Sequence, residues 1–188
     1  MDYESKGRRF ESSRERITPL DPMDSSDGNL KGQGVLDEAF MRQALDLARQ
    51  AASLGEVPVG AVAVKDGRIV GTGLNRREMD KDPFSHAELV AMRRAAETIG
   101  AWRLSGVTIY VTLEPCAMCA GALVQSRVTR LVFGASDPKA GAVGSLYDLA
   151  RDPRHNHRLE VTNGVLAEEC SAELTQFFKA LRQKRQDK

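Results

Sequence analysis

The sequence is poor in cysteine and in aromatic residues, and it has no long apolar segment. Its 188 residues include three cysteines, and aromatic residues make up 5% of the chain. A small, odd number of cysteines argues against a secreted scaffold held by disulfides, and it favours a reducing, cytoplasmic environment. No apolar stretch approaches the roughly 20 residues of a membrane span, and the N-terminus lacks the apolar core of a signal peptide. We therefore expect a protein that is not associated with a membrane.

Neither sign of charge dominates, because the formal net charge is only +1. Overall charge thus neither suggests nor excludes a nucleic-acid partner. Basic residues are concentrated after Cys170, at Lys179, Arg182, Lys184, Arg185 and Lys188. Cations at the end of a helix interact favourably with the helix dipole. The basic segment indicates either a solvated helix end or a contact with RNA.

The first 36 residues differ in composition from the rest of the chain. Residues 1–36 mix charges of both signs with Ser, Gly and Pro, and they show no sustained periodicity. Such a segment buries too little apolar surface to offset its ordering entropy, so we predict a disordered N-terminal extension. Residues 37–188 are long enough to form one domain with its own core.

Hydrophobic periodicity predicts alternating helices and strands from residue 37 onward. A helix with Asp37 as its N-cap precedes a β-hairpin whose turn is Asp66-Gly67. The next helix begins near His86, and a nearly continuous apolar strand then leads to Pro115, the expected first residue of another helix. The remaining predicted elements are strands at 130–135 and 159–166, a short helix within 137–149 and a closing helix at 168–183. This order is typical of an α/β fold with a mixed five-stranded sheet and helices on both faces.

Two cysteines follow the apolar strand almost directly. Cys116 and Cys119 are three residues apart, so both sulfurs lie on one face of a helical first turn. The N-terminus of a helix also lowers the pKa of nearby thiols. This arrangement suits redox exchange and metal binding equally well, and two small buried helical residues would show the same spacing.

A histidine at the start of the preceding helix favours the metal. His86 and the two cysteines make three zinc ligands with no evident fourth, whereas structural zinc sites have four protein ligands and catalytic sites keep a position for water. Glu88 lies in the same first turn, where it could face the site and act as a base on that water. The pattern predicts a catalytic zinc site.

The segments His86-Ala87-Glu88 and Pro115-Cys116-Ala117-Met118-Cys119 match the H-x-E…P-C-x-x-C signature of zinc nucleobase deaminases. From about Asp37 to Gln183 the sequence resembles the bacterial tRNA adenosine deaminases. Further blocks that carry the resemblance are EVPVGAV (56–62), LNR (74–76), YVTLEPCAMCAGA (110–122), VFGASDPKAGAVGSL (132–146), NHR (156–158) and LAEEC (166–170). The resemblance implies a three-layer α/β/α, cytidine-deaminase-like fold.

The resemblance also implies the reaction. One Zn²⁺ per subunit would be held by His86, Cys116 and Cys119. Zinc would activate water, while Glu88 would transfer protons to adenine N1 and to the departing amine. Adenosine would become inosine, with release of ammonia. The implied substrate is the wobble adenosine of the tRNA anticodon loop, and the implied assembly is a homodimer.

Substrate contacts are implied as well, each beside a simpler structural explanation. Asn75 would touch the nucleoside, although it could be a turn residue, and apolar residues expected around the base could belong to the core. Asp137 and Lys139 would meet RNA near the flipped nucleotide, or form a solvated loop pair. The other implied contacts are Pro58, Val59, Ala87 and Leu113 around the base, and Asn156 and His157 at neighbouring nucleotides.

Two alternatives to a tRNA enzyme are consistent with these motifs. One is a small-molecule deaminase of the same fold that acts on guanine or cytidine. The other is a non-catalytic RNA-binding module with structural zinc. The basic C-terminal segment and the DPKAG and NHR blocks favour RNA over a free base, whereas Glu88 and the missing fourth ligand favour catalysis over a scaffold.

Overall fold

The computed structural model describes residues 29–186, and residues 1–28 of the predicted disordered extension lie outside this range. The five strands and the four long helices of the described part follow one another in the predicted order. Its elements are α1 (Asn29–Ser53), β1 (Gly60–Lys65), β2 (Arg68–Leu74), α2 (Arg77–Asp80), α3 (Ala87–Ile99), β3 (Val107–Leu113), α4 (Ala117–Gln125), β4 (Arg130–Ala135), β5 (Glu160–Asn163) and α5 (Ala167–Gln186).

The strands form one mixed five-stranded sheet in the order β2-β1-β3-β4-β5, which confirms the predicted fold. β1 is antiparallel to both β2 and β3, whereas β3, β4 and β5 run parallel. The last residues of β2, β3 and β4 therefore share one edge of the sheet: Gly60 pairs with Leu74, and Leu113 pairs with Ala135. Ligand sites in such sheets form outside the carboxyl ends of the parallel strands.

Alternate residues of the central strands build two separate cores. Ile109 and Val111 of β3 pack with α3 and α4 on one face, while Tyr110 between them packs with α1 on the other. This period of two places a helical layer on each side of the sheet. None of the helices described here combines the length and the apolarity that crossing a bilayer demands.

Helix α3 packs unusually close to β2, and glycines make this possible. A Cβ on Gly73 would lie 2.1 Å from the carbonyl oxygen of Ala87, and one on Gly71 would lie 2.3 Å from that of Ala91. The missing side chains let the first turn of α3 rest directly on the sheet. The residues around Ala87 are thereby fixed relative to the sheet edge.

Three local predictions are wrong. Helix α1 begins at Asn29, so Asp37 lies inside it rather than at its N-cap. Pro115 precedes the N-cap Cys116 instead of starting α4. The segment 137–149 forms turns and isolated bridges instead of a short helix. In addition, the short helix α2 had no counterpart in the predicted elements.

Asp37 makes a buried ion pair. Its carboxylate, 4% exposed, accepts hydrogen bonds from the Arg130 guanidinium at 2.8 and 2.6 Å and from the Tyr110 hydroxyl at 2.9 Å. Burial alone would raise the pKa of Asp37, but hydrogen bonds from Arg130, Gln33 and Tyr110 outweigh it and hold the pKa below its usual value. The cluster ties α1 to β3 and β4.

We expect Asp37→Asn to lower the free energy of unfolding by about 3 kcal/mol near neutral pH, because removing one partner leaves the Arg130 side chain, which is 16% exposed, without its counter-charge. The exposed pair Arg49–Glu173 supplies a control: Arg49→Ala should cost less than about 1 kcal/mol.

A depressed carboxyl pKa stabilises the fold above the unfolded-state value of 3.8, and this contribution is lost as pH falls through the lower folded-state pKa. Urea titrations should therefore show the wild type and Asp37→Asn converging below about pH 4.

Candidate active site

A pocket opens at the sheet edge where β2 and β3 end and where α3 and α4 begin. Its walls come from the segment before β1, from the ends of β2 and β3 and the residues that follow them, from the first turns of α3 and α4, and from residues 136–146, which we call the pocket loop. The lining residues are Val57, Val59, Asn75, Arg77, His86, Ala87, Glu88, Leu113, Glu114, Cys116, Asp137 and Ala140.

Three potential metal ligands meet at the base of this pocket. His86 is the N-cap of α3, Cys116 is the N-cap of α4, and Cys119 lies one turn further along α4. His86 Nδ1 lies 3.8 Å from Cys116 Sγ and 3.5 Å from Cys119 Sγ, and all three ligand atoms lie within 4.8 Å of one another. Adjacent nitrogen and sulfur ligands of a tetrahedral zinc are about 3.6 Å apart. The described residues thus contain a His/Cys/Cys group that could hold a metal ion.

The electrostatics of the two cysteines also suit a cation. Hydrogen bonds from Cys119 and His86 lower the pKa of Cys116 to about 3. The hydrogen bond with Cys116 and burial raise the pKa of Cys119. The hydrogen bond with Cys116 also raises the pKa of His86. The low pKa of Cys116 favours a thiolate that attracts a cation, and a bound cation would favour loss of the proton of Cys119 as well.

Glu88 lies in the first turn of α3, beside the ligand group but not part of it. Its carboxyl group lines the pocket and is only 4% exposed. Burial raises the pKa of Glu88, because a low-dielectric environment disfavours the charged form. A carboxyl group in this position can take up and release a proton next to a metal-activated water.

Asn75, the polar residue predicted to contact the nucleoside, is hydrogen-bonded to a second buried carboxylate, that of Glu56. Asn75 lines the pocket, and its Nδ2 donates a hydrogen bond of 3.1 Å to Glu56 Oε2. Glu56 is 1% exposed and also accepts a 2.7 Å hydrogen bond from the Met79 amide. With its Nδ2 engaged by Glu56, Asn75 is held in one orientation, and its carbonyl oxygen remains available to the pocket.

Apolar side chains form the rest of the inner wall. Of the residues that the resemblance implies around the base, Val59, Ala87 and Leu113 line the pocket, whereas Pro58 is buried and is not part of the lining. Val57 contributes to the lining instead. The Val59 amide donates a 2.8 Å hydrogen bond to the Val57 carbonyl oxygen, so residues 57–59 form a three-residue turn centred on Pro58. The residues on either side of this turn line the pocket, and the buried proline between them does not.

The pocket loop brings Asp137 to the pocket but not Lys139. Asp137 is half-buried, and its Oδ1 accepts hydrogen bonds of 2.9 and 3.2 Å from the amides of Lys139 and Ala140. Lys139 is exposed outside the lining, and Ala140 takes the wall position. The Asp137 carboxylate therefore stabilises the turn of the loop through Oδ1, and the part of its side chain that is not buried remains open to a ligand.

Asn156 and His157 lie away from the pocket. They lie a few residues before β5, whose first residue Glu160 pairs with Arg130 at the start of β4. His157 Nε2 is 2.6 Å from the carbonyl oxygen of Val128, and Asn156 is exposed. This is the edge of the sheet opposite the ligands, so His157 is not a fourth ligand of the His/Cys/Cys group.

Four lining residues were not identified from the sequence: Val57, Arg77, Glu114 and Ala140. Glu114 is buried, and hydrogen bonds from Ser145, Asp137 and Val143 hold its pKa below the usual value despite burial, which acts to raise it. A carboxylate that ends an apolar strand, as in VTLEPC, is a detectable signal, because such a group requires buried donors. Arg77 gave no comparable signal, since arginines are common in exposed turns.

Comparison with known proteins places the chain among deaminases. The family model described as MafB19-like deaminase matches residues 36–182. A tRNA-specific adenosine deaminase of Haemophilus influenzae is 53% identical over 156 residues, which cover 82% of this chain and 90% of the relative.

Solved structures agree. One of them comes from biochemical and structural studies of A-to-I editing by tRNA:A34 deaminases at the wobble position of transfer RNA. It matches with a TM-score of 0.70 and 43% sequence identity, and the match covers 72% of this chain and 99% of the solved chain. A guanine deaminase from Nitrosomonas europaea has a TM-score of 0.63 at 26% identity, over 74% of this chain and 83% of its own. The chain belongs to the family of tRNA-specific adenosine deaminases.

Proposed function

We propose that this protein hydrolyses the exocyclic amine of the wobble adenosine in a tRNA anticodon loop, giving inosine and ammonia. The observation that carries the proposal is the buried Glu88 carboxyl group beside the His86/Cys116/Cys119 group, in a pocket with a fixed amide and apolar walls. Relatives described as tRNA-specific adenosine deaminases, of which one is 53% identical, support the choice of substrate.

The ligand group fits zinc, because two sulfurs and one imidazole nitrogen form a borderline-soft set with room for one more ligand. Bound by His86, Cys116 and Cys119, one zinc ion per subunit would lower the pKa of water and so supply a nucleophile at neutral pH. Free thiols at this site require a reducing environment, which is consistent with the cytoplasmic location expected from the sequence.

Glu88 moves the protons. Its carboxylate removes the proton of the attacking water and delivers it to adenine N1, which makes C6 more electrophilic. Once the oxygen of that water has bonded to C6, Glu88 takes the second proton from the new C6 hydroxyl and transfers it to the C6 amine. The C6–N bond then breaks, ammonia leaves and the C6 carbonyl of inosine forms. The raised pKa of Glu88 makes its carboxylate a stronger base towards the attacking water, because burial disfavours the charged form.

The remaining lining residues orient the base. Val59, Ala87 and Leu113 present apolar surface to the purine ring, and Asn75 offers a hydrogen-bonding amide whose orientation Glu56 fixes. A base enters such a pocket at low cost from a single-stranded loop, where it is not paired. Asp137 of the pocket loop would lie near the flipped nucleotide.

We propose further RNA contacts and a second subunit beyond the pocket. Lys139 on the pocket loop and Asn156 near β5 are exposed outside the pocket. They could therefore contact the nucleotides that flank the target if the bound RNA extends beyond the pocket. Leu146 and Tyr147, at and just beyond the end of the pocket loop, are 51% and 61% exposed. Exposed apolar side chains of this size support a homodimer in which the partner adds to the RNA surface.

The activity test uses zinc-loaded protein and an anticodon stem-loop with adenosine at the wobble position. We expect inosine, read as an A-to-G change after reverse transcription. Free guanine and cytidine, assayed for ammonia release, test the small-molecule alternative that the guanine deaminase similarity raises. Ammonia from a free base without inosine in the stem-loop would contradict the proposal, and binding of RNA without either product would favour a non-catalytic module.

Arg77 is the single Lys or Arg residue among the residues that line the described pocket. It is exposed at the start of α2, where a phosphate next to the flipped nucleotide could reach its guanidinium. We expect Arg77→Ala to raise KM for the stem-loop about three- to tenfold and to reduce the slope of log KM against log salt by about 0.7, the value for one single-strand phosphate contact.

The matched control for this prediction is Arg68→Ala. Arg68 is exposed at the start of β2 and pairs with Lys65, at the sheet edge opposite the pocket. It should leave KM and the salt slope at their wild-type values. An Arg77→Ala variant with an unchanged salt slope would contradict a phosphate contact.

A further inference from the structure

Glu114 is a buried carboxylate that touches the pocket without a part in the proposed proton transfers. It follows Leu113, the last residue of β3, and precedes Pro115 and the ligand Cys116. Its side chain is 3% exposed. Because an isolated buried carboxylate is strongly disfavoured, its hydrogen-bond partners reveal what it does.

All of its side-chain partners belong to the pocket loop. Oε1 accepts hydrogen bonds from the amides of Val143 and Ser145, each at 3.0 Å. Oε2 accepts one from the amide of Asp137 at 3.0 Å and one from the hydroxyl of Ser145. Two acceptor sites on each oxygen use the full capacity of an ionised carboxylate. One side chain thus holds the beginning and the end of the loop.

The loop closes tightly around this carboxylate. A Cβ on Gly141 would lie 2.4 Å from Glu114 Cδ and 2.6 Å from the carbonyl oxygen of Asp137. The loop also touches the ligand segment, since the Ala142 amide donates a 2.8 Å hydrogen bond to the Pro115 carbonyl and Gly141 forms a bridge with Cys116. The position of the loop relative to the ligands therefore depends on these contacts.

We propose that Glu114 is a positioning residue that holds the pocket loop against the β3–α4 junction, so that Asp137 and Ala140 form one wall of the substrate pocket. The inference rests on the proposed function, because that wall is taken to face the target nucleoside. Glu114 acts on substrate binding, whereas Glu88 and the ligands act on the chemistry. Loosening the loop therefore affects KM more than kcat.

The test is Glu114→Gln in the zinc-loaded full chain. Glutamine has nearly the same size, but it replaces one acceptor oxygen with an NH₂ group that cannot accept the Asp137 amide. We expect KM for the anticodon stem-loop to rise about tenfold, the effect of one lost hydrogen bond to a charged group. Zinc content should stay at one per chain, and kcat should change by less than about threefold, since Glu88 and the ligands are untouched.

Hydrogen exchange gives a readout independent of activity. In the wild type, the amides of Asp137, Val143 and Ser145 are protected by Glu114. Glu114→Gln should accelerate exchange in a peptide that spans 136–146, with no change in α3. Gly141→Ala disturbs the same carboxylate from the loop side and should give the same combination of raised KM and faster loop exchange.

Two further variants separate positioning from general stability. Asp37→Asn also removes a buried charge, but from the cluster between α1 and the sheet, so it should lower Tm without changing KM or loop exchange. Ser145→Ala removes one of the four hydrogen bonds and keeps the test available if Glu114→Gln does not fold. Its KM should rise about two- to threefold, as for one modest hydrogen bond.

Folded Glu114→Gln with wild-type KM and wild-type loop exchange would overturn the proposal. So would a variant that lowers Tm alone, because that result would make Glu114 a stabilising residue only. If Glu114→Gln does not fold, unchanged KM and loop exchange in Ser145→Ala would overturn it. If the wild type makes no inosine, the proposed function fails, while loop exchange still decides whether Glu114 positions the loop.

Discussion

Glu88→Gln is expected to reduce kcat for the wobble adenosine by about 10²- to 10⁴-fold, the range for removing a general acid–base group. The carboxamide keeps the size of the side chain but cannot carry a proton between water, N1 and the departing amine. Glu88 lies outside the ligand group, so zinc should remain bound at one ion per chain. Single-turnover measurement of inosine, with metal analysis of the same sample, tests both parts.

Glu97→Gln is the matched control for this substitution. Glu97 lies on the same helix α3, but its side chain is exposed on the outer surface. It should retain wild-type kcat and zinc content. A Glu88→Gln enzyme with more than about a tenth of wild-type kcat would show that another group moves the protons, since the loss expected of such a group is at least about a hundredfold.

Removing a metal ligand should have the second large effect. Cys119→Ala leaves one sulfur and one imidazole, a set with fewer protein ligands than either structural or catalytic zinc sites. We expect zinc content after dialysis to fall from about one equivalent per chain to less than about a tenth, and deamination to fall below detection. A chelator should inactivate the wild type, and added Zn²⁺ should restore activity.

Cys170→Ala controls for the loss of a buried thiol. Cys170 is a residue of α5 and packs against Gly134 of β4, on the face of the sheet opposite α3 and α4. It lies outside the ligand group. This variant should keep its zinc and its activity, with at most a modest fall in Tm. Full zinc occupancy in Cys119→Ala would contradict the assigned ligand set.

The sheet and its helical layers were predictable because they follow from local periodicity. The apolar run that ends at Leu113 gave β3, and the His86 and Cys116 motifs marked the starts of α3 and α4. Asp37 was misassigned because an N-cap and a buried ion-pair carboxylate have the same local sequence appearance. Its partner Arg130 is distant along the chain, and only the folded sheet brings the two together.

The site was partly predictable for the same reason. The motifs placed His86, Glu88, Cys116 and Cys119 together, and the structure does the same: the first three line the pocket, and the Cys119 sulfur lies within 4.8 Å of the ligand atoms of His86 and Cys116. The position of Glu114 at the end of an apolar strand marks it as a buried carboxylate, but its partners and those of Glu56 include backbone amides, which carry no residue-type signal in a sequence. The path of the chain after β4 was not predictable, since Asn156 and His157 follow a crossover that carries them to the far edge of the sheet.

The junction of residues 113–116 combines three proposed roles in consecutive positions: Leu113 as a contact of the base, Glu114 as the anchor of the pocket loop and Cys116 as a metal ligand. Lengthening or shortening this junction by a single residue would move all three at once. The Asp66-Gly67 turn lies at the other end of the sheet and carries none of them. Reporter tags and fused domains therefore belong in that hairpin turn, whereas the four-residue junction has a fixed length.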